Sequence, residues 1–298
     1  MPTPIFVIGP HRSGTTWLAN ILCRHTQVTG IQSTEHKGIH ESAFFSHVDR
    51  HFGKLDNENA YIEFVEVFSS SDYFSLSGLK KELLYAECPR EYGEVFRLVM
   101  DKYADANDAD NWVEKTPAHT LYLDKIHEYF PEGKYLGITR ELTDVVRSSV
   151  AKRTFRSKLQ RMLFIFRQVI HVLKYQKHIS YFKDRIPNMK VIRYEELNRD
   201  KNVVIQKICD FLDLRFEERL LEEHFSPNTS FEGPEKQSGR KEVFSQAELG
   251  LIRLLSAIFS LVPFFGYRSL HILQDRLRSV SLPSWFWKVH KKTIDFDG

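Results

Sequence analysis

Ile5-Phe6-Val7-Ile8 is an unbroken apolar run that stops at Gly9, and Pro10-His11-Arg12-Ser13-Gly14-Thr15-Thr16 leads from it into the helical pattern of Trp17-Leu18. A strand, a glycine-bounded loop and a helix start in this order constrain the fold. The strand belongs in a sheet buried on both faces, and the loop turns backbone N–H groups and a helix N-terminus toward one point that suits a phosphate. The loop is close to the Gly-x4-Gly-Lys-Ser/Thr motif of nucleotide triphosphatases, but Thr15 stands where that motif has lysine. The cation has moved back to Arg12, which argues against ATP or GTP hydrolysis and places a positive charge at the group attached to the last phosphate.

A second phosphate motif lies further along the chain. Gly133-Lys134-Tyr135-Leu136-Gly137-Ile138-Thr139-Arg140 reads as a strand ending in arginine, followed by a helix that carries Asp144-Val145-Val146-Arg147-Ser148-Ser149. An arginine at a strand end and a serine two helical turns on can hold one phosphate, by a charge-assisted fork and a hydroxyl. Ser149 takes the place of Ser148 if the helix is rotated.

These two motifs, in this order, resemble the sulfotransferase superfamily, in the style of the Golgi, heparan-type and bacterial carbohydrate enzymes. The resemblance implies 3′-phosphoadenosine 5′-phosphosulfate (PAPS) as co-substrate, 3′,5′-adenosine bisphosphate as product and no required metal. It implies that Arg12, Ser13, Gly14, Thr15 and Thr16 hold the 5′-phosphosulfate, and that Arg140 and Ser148 hold the 3′-phosphate. Ser238-Gly239-Arg240-Lys241 resembles the late basic loop over the 3′-phosphate, which adds Arg240 and Lys241. Trp112-Val113-Glu114-Lys115-Thr116-Pro117 resembles the heparan-type segment whose lysine approaches the sulfuryl group, so Lys115 joins Arg12 as a catalytic cation. The general base of that branch is a glutamate beyond the loop, and Glu35 falls at about that distance. The small-molecule branch uses a histidine, for which His119 is the candidate.

Strands near residues 4–9, 28–32, 111–115, 134–139 and 189–193 alternate with helical stretches. The expected fold is α/β: a P-loop-type, three-layer arrangement with a central parallel sheet flanked by helices. The aromatic-rich segment from Glu41 to Asp110 and the basic stretch from Arg153 to Lys183 are expected to form the acceptor cleft. Residues 1–267 are expected to make the sulfotransferase domain and 268–298 a basic, aromatic tail.

Between Val145 and Lys183 there is no Asp or Glu, against ten Lys and Arg, in a chain of net charge +3. Such a stretch attracts anions, including an anionic or lipid-linked acceptor. No nucleic-acid-reading module is visible. Three dispersed cysteines suggest neither a disulfide framework nor a zinc site. His36 and His40, like His47 and His51, have helical metal-ligand spacing, but the order is wrong for a zinc protease motif, and no metal is expected. With no signal-like N-terminus, a cytoplasmic enzyme is expected. Trp285, Phe286 and Trp287 beside Lys288, Lys291 and Lys292 suggest peripheral membrane contact through the tail. The activity expected is sulfuryl transfer from PAPS to a hydroxyl of a carbohydrate or glycolipid. The alternatives are a P-loop small-molecule kinase and a non-catalytic nucleotide-binding or membrane-surface protein.

Overall fold

Ile5, Phe6, Val7 and Ile8 are all fully buried in β1 (Thr3–Ile8), and they alternate between two separate cores. Phe6 and Ile8 face one layer, which contains Trp112, Tyr135, Phe44, Phe45, Phe96 and Phe130. Ile5 and Val7 face the other, with Leu18, Leu22, Leu136, Ile138, Ile205 and Ile208. A central strand buried on both faces has no place for a polar residue, which explains the unbroken apolar run.

The computed structural model describes residues 1–33, 38–222 and 244–264. After β1 come α1 (Thr15–Leu22), β2 (Val28–Thr29), β3 (Gln32–Ser33) and β4 (Gly38–Ile39). A short π-helical turn, Phe44–Val48, leads to α2 (Asp49–Phe52), α3 (Glu58–Ser69), α4 (Asp72–Leu76), α5 (Glu82–Glu87) and α6 (Tyr92–Ala106). Next are β5 (Asn111–Glu114), a 3-10 turn over Pro117–Tyr122, α7 (Leu123–Tyr129) and β6 (Lys134–Thr139). They are followed by α8 (Leu142–Val150), α9 (Lys158–Phe182), β7 (Met189–Arg193), α10 (Tyr194–Arg199), α11 (Lys201–Leu212) and α12 (Gln246–Leu261).

The main sheet has the order β2-β5-β1-β6-β7 and every pairing is parallel. This is the expected α/β architecture, with helices on both faces. Ile5 pairs with Val113 on one side and Lys134 on the other, so the carboxyl ends of β5, β1 and β6 lie together. The connection after β1 runs toward β2 and the one after β6 runs the opposite way toward β7, which opens a crevice at those carboxyl ends.

Two expectations change. The strand expected over 28–32 keeps only Val28–Thr29 in the main sheet. At Gly30, Ile39 packs so close that a Cβ would stand 2.5 Å from its Cδ1, and the chain then forms a separate antiparallel ribbon of β3 and β4. The aromatic side chains of the Glu41–Asp110 segment were expected to line a cleft, but many are core. Phe44, Phe45, Phe64, Phe68, Phe74 and Phe96 are buried against one face of the sheet. α8, α9 and α12 enclose a third apolar cluster around Val146, Ile165, Val169 and Ile252. No helix among the described residues is long and apolar enough to cross a membrane. The proposed tail, 268–298, lies outside the described residues.

Phe6 sits 5.2–5.5 Å, centroid to centroid, from the rings of Trp112, Phe130 and Tyr135. Phe6→Ala is expected to cost about 3–5 kcal/mol, because the surrounding rings cannot collapse into the hole. Urea unfolding measures this directly.

Candidate active site

The loop after β1 is held from several sides. The Gly9 N–H donates to Thr120 Oγ1 at 2.8 Å, and Ser13 Oγ donates to the Pro10 carbonyl at 2.7 Å. Gly14 has φ 98°, and a Cβ there would lie 2.7 Å from the Tyr194 ring, so glycine is needed for both conformation and space. Arg12 also takes a left-handed conformation, φ 71°, which is costly for a residue with a side chain and is typical of functional loops. α1 begins directly after this loop with no acidic residue in its first turn and no side-chain cap. Its first N–H groups and its positive dipole end therefore remain available to an anion.

The second motif reaches this loop across the β1–β6 crevice. Arg140 Nη1 donates to the Arg12 carbonyl at 3.2 Å, and its guanidinium lies 4.1 Å over the Tyr194 ring. Arg140 Nε is buried without a partner among the described residues, an orphaned donor that the oxygen of an anion could accept from. Arg12 Nε donates to Ser148 Oγ at 3.1 Å. Ser149 instead donates back to the Val145 carbonyl at 3.0 Å, which turns it into its own helix. Burial, and then the nearby Arg140 charge, push the Arg12 pKa down from its ordinary value. Both effects signal a cation held where it lacks a counter-charge.

At the end of β5 the strand is anchored by a buried carboxylate. Glu114 accepts from Ser42 Oγ at 2.9 Å, Thr116 Oγ1 at 2.6 Å and the His119 ring at 2.8 Å. Burial raises the Glu114 pKa, but His119 and the two hydroxyls outweigh it, so the carboxyl is held below its ordinary range. The Phe45 N–H donates to His119 Nε2 at 3.1 Å, so Nε2 accepts and Nδ1–H donates to Glu114. His119 is fully buried with both ring nitrogens committed. It ties β5 to the Ser42–Phe45 segment and has no nitrogen left for an acceptor hydroxyl. This arrangement speaks against the expectation that it serves as a base.

This anchoring fixes Lys115 and Glu41. Lys115 Nζ donates to Glu41 Oε1 at 2.6 Å, with the lysine side chain 2% exposed and the glutamate 30% exposed. Burial raises the Glu41 pKa, yet Lys115, His11 and His40 together hold it below the usual carboxylate range. His11 is exposed at the lip of the loop, and its ring stacks 5.6 Å from His171 of α9, which in turn lies 4.4 Å from Tyr175. Crowding within the cleft lowers the His11 pKa; Glu41 opposes this, while Lys115 and Arg12 reinforce it. Burial, and then His11 and Lys174, push His171 down to about 4. At neutral pH these rings are therefore an uncharged wall beside a cluster of cations.

The structure thus brings Arg12, Ser13, Gly14, Thr15, Arg140, Ser148 and Lys115 to one crevice. Glu35, Arg240 and Lys241 lie outside the described residues. Neither Glu41 nor Tyr194 stood out from the sequence as a site residue. Tyr194 was visible in Tyr194-Glu195-Glu196-Leu197, but its stacking on Arg140 was not. Among the described residues, no group of three His, Cys, Asp or Glu is arranged to hold a metal ion.

His119→Ala would leave the Phe45 N–H unpartnered and strip Glu114 of its imidazole partner. It is expected to destabilise the fold by about 3–5 kcal/mol, as when one member of a buried pair is removed. Urea unfolding tests this, and an unchanged midpoint would contradict the structural role.

Comparison with known proteins agrees with this fold. A sulfotransferase family model matches residues 4–218. Among solved structures, the sulfotransferase domain from the curacin biosynthetic pathway is 19% identical, with a TM-score of 0.51 over 86% of this chain and 98% of that one. The sulfotransferase domain of the Synechococcus PCC 7002 olefin synthase is 16% identical, with a TM-score of 0.50 over 88% and 96%. None of the curated proteins matches. The family match spans both phosphate-type motifs and the Lys115 segment, and with it the chain belongs to the sulfotransferase family.

Proposed function

We propose that the protein transfers a sulfuryl group from PAPS to a hydroxyl, with the nucleotide lying across the β1–β6 crevice. The observation that carries this reading is the pairing of an uncapped α1 N-terminus with the orphaned, buried Arg140 Nε on the far side of the same loop. Two separate anion sites bridged by Arg12 suit a donor with phosphates at both ends of its ribose. The missing loop lysine disfavours the kinase alternative.

In this reading Arg12 and the N–H groups of Gly14, Thr15 and Thr16 receive the 5′-phosphosulfate, and Arg140 and Ser148 receive the 3′-phosphate. Lys115 offsets charge on the sulfonate oxygens as the bond to the leaving phosphate breaks. Sulfuryl transfer, like phosphoryl transfer, depends on in-line positioning and on charge stabilisation. The acceptor hydroxyl must also lose its proton. Among the described residues Glu41 is the carboxylate at the Lys115 ammonium, and we assign it the general base in preference to Glu35. When the donor sulfonate draws Lys115 away, Glu41 loses its principal counter-charge and burial then raises its basicity. The base would therefore be activated by the arrival of the donor. The rings of His11, His171 and Tyr175 wall the side from which the acceptor enters, which fits a ring-bearing alcohol such as a sugar.

Labelled sulfuryl transfer from PAPS to a panel of glycoside and phenol acceptors tests the reaction, with labelled phosphoryl transfer from ATP as the contrasting activity. Glu41→Gln is expected to lower kcat by about 10²–10⁴-fold while leaving nucleotide affinity nearly unchanged. If Glu35→Gln carries that loss and Glu41→Gln does not, the base is Glu35. Lys115→Met provides a pH test. In the parent, Glu41 is held ionised to below its ordinary range, so activity persists as pH falls toward that range. Without Lys115, burial dominates and the Glu41 pKa rises. The acid limb of the kcat/KM profile is then expected to move to higher pH, and an unmoved limb would contradict the assignment.

A further inference from the structure

The described residues expose ten large apolar side chains to an appreciable degree, and six of them lie on two helices packed together, α9 and α12. On α9 they are Leu159, Leu163 and Phe166, which are 69%, 51% and 42% exposed and spaced to form one helical stripe. On α12 they are Leu254, Ile258 and Leu261, with the same spacing. Scattered exposed apolar residues need no explanation, but a concentration of this kind marks a surface that meets something.

The surrounding charge indicates what it meets. Lys152, Arg153, Arg156 and Lys158 are all exposed in the segment that leads into the α9 stripe. The segment from Val145 to Lys183 contains no acidic residue to offset them. The one acidic residue of α12, Glu248, is buried and tied to Arg161 at 2.5 Å, so it is not directed at the exposed Arg153, Arg156 and Lys158. A second copy of the chain meeting this face about a twofold axis would bring two such collars together. The chain beyond α12 carries Arg268, Arg276, Arg278, Lys288, Lys291 and Lys292 against Asp275, Asp295 and Asp297, so its charge has the same sign as the collar. Apolar side chains ringed by Lys and Arg match a surface with negatively charged headgroups over an apolar interior.

We propose that the Leu159, Leu163 and Phe166 stripe, with its collar of Lys152, Arg153, Arg156 and Lys158, is a docking surface for an anionic lipid bilayer. This assignment is separate from the tail contact expected from sequence, and it holds whatever group the crevice transfers. It also has a geometric consequence. His171, whose ring stacks on His11, lies five residues beyond Phe166, about 8 Å along the helix axis. His171 lies more than a quarter-turn around α9 from the stripe, so docking would set the bilayer against a side of the helix adjoining the mouth of the crevice.

The test is co-sedimentation of the full chain with large unilamellar vesicles. One set is made of equal parts phosphatidylglycerol and phosphatidylcholine, the other of phosphatidylcholine alone. Binding is expected to the anionic vesicles and to weaken as salt is raised. Leu163→Ser/Phe166→Ser and, separately, Arg156→Glu/Lys158→Glu are each expected to lower the partition coefficient about ten-fold or more. The four positions are exposed, and thermal unfolding shows whether each variant remains folded; the charge pair serves as the test if the apolar pair does not. No binding by the parent, equal binding to both vesicle types, or variants that bind like the parent would overturn the proposal, the last pointing to the tail alone. Sedimentation velocity supplies a further outcome. A parent dimer that Leu163→Ser/Phe166→Ser dissociates would make this face an interface between copies, which also overturns it.

Discussion

The parallel ladder between β1 and β6 is the interaction on which the site depends. Its register, from Ile5 opposite Lys134 to Ile8 opposite Gly137, brings Gly9 and Arg140 out of the sheet at the same edge. From that edge the loop after β1 turns one way into α1, while α8 begins just beyond Arg140. The two anion-binding segments are far apart in the chain, yet Arg140 reaches the Arg12 carbonyl directly. A slip of one residue in this ladder would invert Phe6 and Val7 between the two cores, so apolar packing and the position of the site are fixed together. The flanking β1–β5 ladder does the same for Lys115, since Phe6 stands opposite Glu114.

What the ladders assemble is an excess of positive charge. Arg12, Arg140 and Lys115 converge, and among the described residues only Lys115 of the three has a carboxylate partner, Glu41. The Arg12 backbone is held in a left-handed conformation, and its guanidinium pKa is lowered first by burial and then by Arg140. Such an arrangement is unfavourable until an anion arrives, and it persists because the two cores on either side over-determine the loop. The Glu114–His119 pair works the other way. It is fully satisfied internally, and its role is to hold the β5 end and the Ser42–Phe45 segment in one geometry.

Much of this was legible in the sequence, for identifiable reasons. β1 was plain because a strand buried on both faces must be apolar throughout, and its loop was plain because glycine is required at Gly14 beside Tyr194. β6 stood out for its buried Tyr135-Leu136-Gly137-Ile138, and the edge strand β7, with Lys190 and Arg193 in it, for Val191-Ile192 at its centre. Less legible was anything that depends on the chain folding back. Glu35 was chosen by its distance along the chain and lies outside the described residues, whereas the meeting of Glu41 with Lys115 follows from the fold and from no local pattern. His119 follows Thr116-Pro117 as a catalytic histidine would, and no local pattern reveals that Glu114 and the Phe45 amide take both its nitrogens. The aromatic richness of the Glu41–Asp110 segment was real, but composition alone does not say which rings face a cleft and which fill a core.

The central claim is that two distant motifs form one nucleotide site across the β1–β6 crevice. Calorimetric titration with 3′,5′-adenosine bisphosphate, beside ADP and without magnesium, tests it most directly. The account predicts binding that requires the 3′-phosphate and is lost in Arg140→Ala. Equal or tighter binding of ADP, or an Arg140→Ala variant that binds the bisphosphate as the parent does, would contradict it.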